Sequence, residues 1–173
     1  MLVLICSCSS FAQIIMFDET DEFTGTRAIS IRNSESKEIS LTDDTIIIDS
    51  TDHIFLMMDL NVSKDKKESL IRFILGIVST EPKCYKKSDL SILFESGEVK
   101  TIKQESPSTC DVVAAVGYSL SDKDLIFLQN NKIKKIRVTN EKGQEDYTIN
   151  PEKQKSIQET CKLAYTKLQE MRK

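Results

Sequence analysis

The chain has 173 residues and a formal charge of −3, from 24 Lys and Arg against 27 Asp and Glu, with 39% hydrophobic and 29% charged residues. That balance belongs to a chain long enough to bury a core, and it excludes disorder, collagen and coiled coil. It also excludes the broad basic field of a nucleic-acid binder, because counterion release needs many Lys or Arg on one face.

Residues 1–12, MLVLICSCSSFA, carry no charge, run apolar from Met1 to Ile5 and turn small from Ser7 to Ser10. They fall short of the roughly 20 apolar residues that a membrane-crossing helix needs. They read instead as the end of a signal peptide, since Ser10 and Ala12 stand third and first before Gln13, where signal peptidase accepts small side chains. Residues 13–173 then form a single β-rich domain with a C-terminal helix. Two other readings stay open. Ile5, Cys6 and Ser7 loosely match the box before a bacterial lipoprotein cysteine, which puts a lipid on Cys8 as the one membrane contact; alternatively, the stretch is a buried N-terminal strand. No Lys or Arg precedes the apolar run, which is atypical of an export signal.

Without that leader the cysteines are Cys84, Cys110 and Cys161. In the oxidising environment that export implies, they make one bridge and one spare thiol. Cys84 and Cys110 bracket an expected hairpin and close a loop of about 26 residues, worth roughly 3 kcal/mol through the entropy of the unfolded chain. Cys161 falls on an apolar helical stripe, where a thiol acts as a small hydrophobe.

From Thr24 onward, short apolar segments alternate with polar turns, the pattern of strands. Thr26 to Arg32 is the first, Ile39 and Leu41 repeat it, and Thr45 to Asp49 is β-branched. His53 to Val62 places Ile54, Leu56, Met58, Leu60 and Val62 on one face, which points into the core. Leu70 to Val78, apolar apart from Arg72 and Gly76, reads as a strand buried on both sides. Leu90 to Phe94 and the segment begun by Val99 and Ile102 form a hairpin about Gly97. Val112 to Leu120 is a further strand. Ser121 and Asp124 make a capping box, so Asp122 to Asn130 is a short helix, ended by Asn130 and Asn131 in the left-handed conformation. Ile133 to Val138 and Tyr147 to Ile149 are paired strands. Asn150 and Pro151 start a helix over about 151–172, with Ile157, Cys161, Ala164, Leu168 and Met171 as its apolar stripe. The fold class is therefore α+β: an antiparallel sheet or sandwich with a short helix near 122–130 and a C-terminal amphipathic helix packed on it.

The leader ending Ser10-Phe11-Ala12-Gln13, the opening Asp21-Glu22-Phe23-Thr24-Gly25, and the run from Leu120-Ser121-Asp122-Lys123-Asp124 to Lys135-Ile136-Arg137-Val138 together resemble small uncharacterised exported proteins of Bacteroidetes-type bacteria. The resemblance implies a periplasmic or cell-surface location and a β-rich domain. It supplies no reaction and no site residues.

Candidate sites are sparse. His53, the single histidine, enters a strand from an acidic turn and reads as a surface group. Asp43, Asp44, Asp49 and Asp52 lack the alternating spacing and central glycine of a calcium loop. Asp18, Glu19, Asp21 and Glu22 read as a solvated, mobile segment. Lys132, Lys134, Lys135 and Arg137 read as charges that keep an exposed strand from pairing with other chains. The sequence has no phosphate loop, GxSxG elbow, HExxH or CxxC, and no Trp to serve as a sugar platform. No catalytic residue, cofactor or metal site is expected. The expected role is a non-catalytic exported envelope protein that binds a protein or small molecule or supports the envelope. The alternative is a small or apolar ligand held between the sheet and the C-terminal helix, against Ile54 to Val62 and Leu70 to Val78. A third option, a carboxylate hydrolase, needs two buried carboxyl groups about 5 to 9.5 Å apart.

Overall fold

The computed structural model describes residues 14–32, 53–85, 89–105, 110–140 and 143–173. The leader with Cys8, the segments at Ile39 to Leu41 and Thr45 to Asp49, and the acidic residues Asp43, Asp44, Asp49 and Asp52 lie outside them.

Nine strands and two helices follow one another among the described residues: β1 (Ile14–Thr20), β2 (Arg27–Arg32), β3 (His53–Val62), β4 (Ser69–Cys84), β5 (Leu90–Phe94), β6 (Val99–Ile102), β7 (Cys110–Leu120), α1 (Asp122–Asn130), β8 (Ile133–Asn140), β9 (Gly143–Thr148) and α2 (Pro151–Met171). The fold is α+β. The strands form two antiparallel sheets, ordered β1-β2-β3-β4-β7 and β6-β5-β8-β9. A bridge from Gln104 to Tyr118, with Glu105 N–H donating to the Gly117 carbonyl at 3.2 Å, joins the end of β6 to β7.

Side-chain alternation decides which face of the first sheet is inside. Ile29, Ile31, Leu56, Met58, Leu60, Ile71, Phe73, Leu75, Ile77, Val116 and Tyr118 are all buried on one face. The α2 stripe of Ile157, Cys161, Ala164, Leu168 and Met171 is buried with them in the same cluster, α2 lying across β2 and β3 and against α1. The inner residues of the second sheet, among them Leu90, Ile92, Phe94, Ile136 and Val138, complete that cluster.

Both helices start as their sequences dictate. Ser121 Oγ accepts from Asp124 N–H at 3.2 Å while the Asp124 carboxylate accepts from Ser121 N–H at 2.8 Å. Asn150 Oδ1 accepts from Lys153 N–H at 2.7 Å, and Pro151 follows it. The end of α1 departs from expectation. Asn131 is extended (φ −123°) rather than left-handed, because the amides of Asn130 and Asn131 satisfy the last carbonyls, donating to Ile126 and Phe127 at 2.8 Å each.

Four further expectations are corrected. Asp18 and Glu19 are not in a loose acidic segment but in β1, and Arg27 holds Asp18 through two hydrogen bonds of 2.8 and 2.7 Å. The strand carrying Lys134, Lys135 and Arg137 is not an edge: β8 lies between β5 and β9, and Arg137 and Lys135 pair with Asp146 across to β9. β4 is longer than expected, running past a bulge between Val78 and Lys83 that accommodates Pro82, which has no N–H to give a ladder. Nor is β4 buried on both sides throughout: Leu70, Arg72 and Ile74 are half-buried while Ile71 and Phe73 between them are inside, and only from Leu75 to Ser79 are both faces buried.

Candidate functional site

The opposite face of the first sheet, here called its outer face, is where unusual chemistry collects. Cross-strand register sets it out in rows. One row reads Phe17, Ser30, Asp59, Arg72, Ser119 from β1 to β7; the next reads Arg32, Met57, Ile74, Gly117; a third reads Phe55, Gly76, Ala115. Most of these side chains are half-buried.

Small residues make room for large neighbours. A Cβ on Gly76 would meet the Phe55 ring at 2.0 Å, so the absence of a side chain there lets the ring lie flat on β4. The Arg32 guanidinium sits 5.0 Å from the centroid of that ring, a cation–π contact that fixes its position. Ser30, fully buried, donates its hydroxyl to Asp59 Oδ1 at 2.6 Å. Arg72 stands opposite Asp59 in register, yet neither Arg72 nor Arg32 makes an ion pair among the described residues. The Nε atoms of both arginines are shut off from solvent and have no hydrogen-bond partner there. A buried donor without a partner costs on the order of 1–3 kcal/mol, and the described residues supply a partner to neither Nε.

A second constellation lies where β4 meets the second sheet. The Cys84–Cys110 disulfide ties the end of β4 to the start of β7, with 4.4 Å between Cα atoms, and so places Lys83 and Tyr85 on either side of the link. Glu145 Oε2 accepts from Tyr147 Oη at 2.6 Å, Tyr85 Oη at 2.9 Å and Lys83 Nζ at 3.1 Å. Burial by itself pushes the Glu145 carboxyl up, but these donors outweigh it and hold its pKa below the ordinary value. Burial, reinforced by Glu145 and Tyr85, raises the Tyr147 hydroxyl and keeps it protonated. A carboxylate that takes three donors and a phenol locked in its neutral form make a clasp between the sheets, not an acid and base poised to exchange a proton.

The residues singled out in the sequence fall apart in space. Cys84 and Cys110 are bonded to each other. Cys161 is free and fully buried, its thiol pushed up to about 12 by burial, which leaves it unreactive. His53 is the first residue of β3, and Cys8 is outside the described residues. Among the described residues no carboxylate is fully buried, and no three His, Cys, Asp or Glu side chains form a group able to hold a metal ion. Sequence reasoning missed the outer face. Its signal was there in the shared parity of Phe55, Met57, Asp59 and Asn61, and in Arg72 and Gly76 interrupting an apolar run.

Among the described residues, no helix is long and apolar enough to cross a membrane. Comparison with protein-family models, with curated proteins and with solved structures finds no match for this chain.

Proposed function

We propose that this chain is an exported module of the bacterial cell envelope that binds a partner without catalysing a reaction, and that the outer face of the first sheet is its binding surface. One observation carries the reading: Arg32 and Arg72 share a half-buried apolar face with their Nε donors unpartnered. The disulfide supports an oxidising compartment. The leader and the resemblance to small exported proteins support export, with either cleavage before Gln13 or a lipid on Cys8. The space between the sheet and α2 is filled by Ile29, Ile31, Leu56, Ile157, Cys161, Ala164 and Leu168, each at most 2% exposed, and this supports placing the ligand outside.

The test uses the full chain in its native host, with a photoreactive phenylalanine analogue at Ser119 beside Arg72, or at exposed Lys155 on α2 as the control. A processed or lipidated protein that gives a discrete cross-linked species from Ser119 alone is expected. Retention of Met1 in the cytoplasm, or equal products from both positions, overturns the proposal.

A further inference from the structure

We infer that the turn joining β1 to β2 is a second docking element, in which Phe23 enters an apolar pocket of another protein whose rim carries Lys or Arg. The inference is independent of the outer face.

Exposed apolar surface is concentrated here. Of the seven large hydrophobic side chains exposed among the described residues, Ile15, Met16, Phe17 and Phe23 lie on this one hairpin, and Phe23 is 99% exposed. β1 is the edge of its sheet, and α2 covers β2 and β3 rather than β1. Exposed hydrophobic residues scattered singly are ordinary, whereas a group of them on one element marks a contact surface.

Phe23 has no part in holding the fold, because its neighbours build the turn. Asp21 Oδ1 accepts from Phe23 N–H at 3.0 Å, from Thr24 N–H at 2.6 Å and from Thr24 Oγ1 at 2.9 Å. Gly25 N–H donates to the Asp21 carbonyl at 2.7 Å, with Gly25 in the left-handed conformation (φ 67°) that glycine takes without strain. Lys64, from the turn between β3 and β4, packs against Gly25: a Cβ there would lie 2.7 Å from Lys64 Cδ. These contacts use the side chains of Asp21, Thr24 and Lys64 but only the backbone of residue 23. A ring carried on a turn fixed in this way costs little ordering on binding, which is what an anchor residue requires.

Charge sets the sign of the partner. Asp18 is paired with Arg27, while Glu19 and Glu22 make no ion pair among the described residues. The amide of Thr24 holds the Asp21 carboxyl below its ordinary pKa, so Asp21 stays charged while it accepts. The turn between β3 and β4 is mixed, with Lys64, Lys66 and Lys67 against Asp65 and Glu68, which leaves the β1 side of the hairpin as the negative one. Anionic phospholipid headgroups and nucleic acid are repelled there. A hairpin tip also has no concavity in which to enclose a small molecule. A protein pocket with a cationic rim matches both the ring and the carboxylates.

The test uses the full chain in its native host with a photoreactive phenylalanine analogue at Lys64, beside Gly25. It compares the unsubstituted hairpin with Phe23→Ser and with the pair Glu19→Lys and Glu22→Lys, and the urea midpoint of each purified protein is measured. A discrete cross-linked protein is expected, with a yield that falls about tenfold in either variant at unchanged midpoints and a cross-linked peptide that carries Lys or Arg beside apolar residues. Absence of a product from the unsubstituted hairpin, a label on phospholipid, or a yield that Phe23→Ser leaves undiminished overturns the inference. So does a midpoint lowered by Phe23→Ser, which would show that the ring packs within the fold.

If the double charge reversal does not fold, salt takes its place. In isolated envelopes the yield from the unsubstituted hairpin is expected to fall as ionic strength rises, and a yield that holds or grows overturns the cationic rim. None of these outcomes involves the Ser119 product, so the outer face stands or falls separately.

Discussion

Replacing Gly76 by Ala tests the outer face most directly, because the structure gives the effect a sign that reverses with one neighbour. The new methyl group would lie 2.0 to 2.3 Å from three atoms of the Phe55 ring, against an optimum of about 3.5 Å, so the ring must move by roughly 1.5 Å. Overpacking of that kind costs about 1–3 kcal/mol. Lifting the ring also weakens its contact with Arg32, worth about 0.5–1 kcal/mol at a half-exposed site. Against this, alanine loses less conformational entropy than glycine in a strand, a gain of about 0.4–1 kcal/mol. The net expectation for Gly76→Ala is a loss of about 1–2 kcal/mol, or a drop of about 0.5–1 M in the urea midpoint of the disulfide-intact protein. In a Phe55→Ala background the obstruction is gone and the entropy gain alone remains. The same substitution should there raise the midpoint. If Gly76→Ala lowers stability equally in both backgrounds, the ring does not rest on Gly76, and the placement of Arg32 fails with it.

Three further outcomes follow from packing and charge. Reducing Cys84–Cys110, or replacing both cysteines by Ala, should remove about 3 kcal/mol, read as a lowered thermal midpoint of the purified chain. Leu168→Ala removes a fully buried side chain where α2 meets the sheet and should cost about 2–5 kcal/mol in urea unfolding, whereas Lys155→Ala, on the exposed side of the same helix, should cost less than about 0.5 kcal/mol. Because the folded-state pKa of Glu145 is below its ordinary value of 4.5, the stability it contributes is full above that value and is lost as pH falls toward the folded-state pKa. Glu145→Gln should therefore be less stable than the unsubstituted chain at pH 7, with the gap narrowing between about pH 5 and 3; a gap that stays constant across that range would show that no linked proton is involved.

What could be read from the sequence was local. Alternation placed Leu56, Met58 and Leu60 on the inner face of β3, and the caps at Ser121 and Asn150 marked both helix starts, because each depends on residues within a few positions of one another. The pairing of Cys84 with Cys110 could be read because they bracket a hairpin while Cys161 falls on the helical stripe. The failures were relational. Arg137 looked like an edge charge because nothing local says that β9 pairs beyond it. β1, with Ile15, Met16 and Phe17 each at least 42% exposed, lacks the alternation that a half-buried strand carries, and a bulge between Ile15 and Phe17 shifts its register. Arg32 and Arg72 stand 40 positions apart in the chain and become neighbours only through the registers of β2 with β3 and of β3 with β4.

β4 connects the two constellations. Its first half carries Arg72, Ile74 and Gly76 on the outer face, and beyond the bulge its last residues carry Lys83 and Cys84 toward β7, with Tyr85 just after them reaching Glu145 on β9. Burial on the inner face with disulfide and clasp at one end holds the strand so firmly that its outer side can carry an unpaired guanidinium and a bare glycine without losing register. Stability is concentrated in the interior and at the sheet junction, and the strand spends part of it on a surface whose own contacts are incomplete. Arginines kept for solubility alone would sit on a solvated rim with their donors in water. These two are set among Phe55, Met57 and Ile74 with one donor each stripped of solvent and left unsatisfied by the described residues.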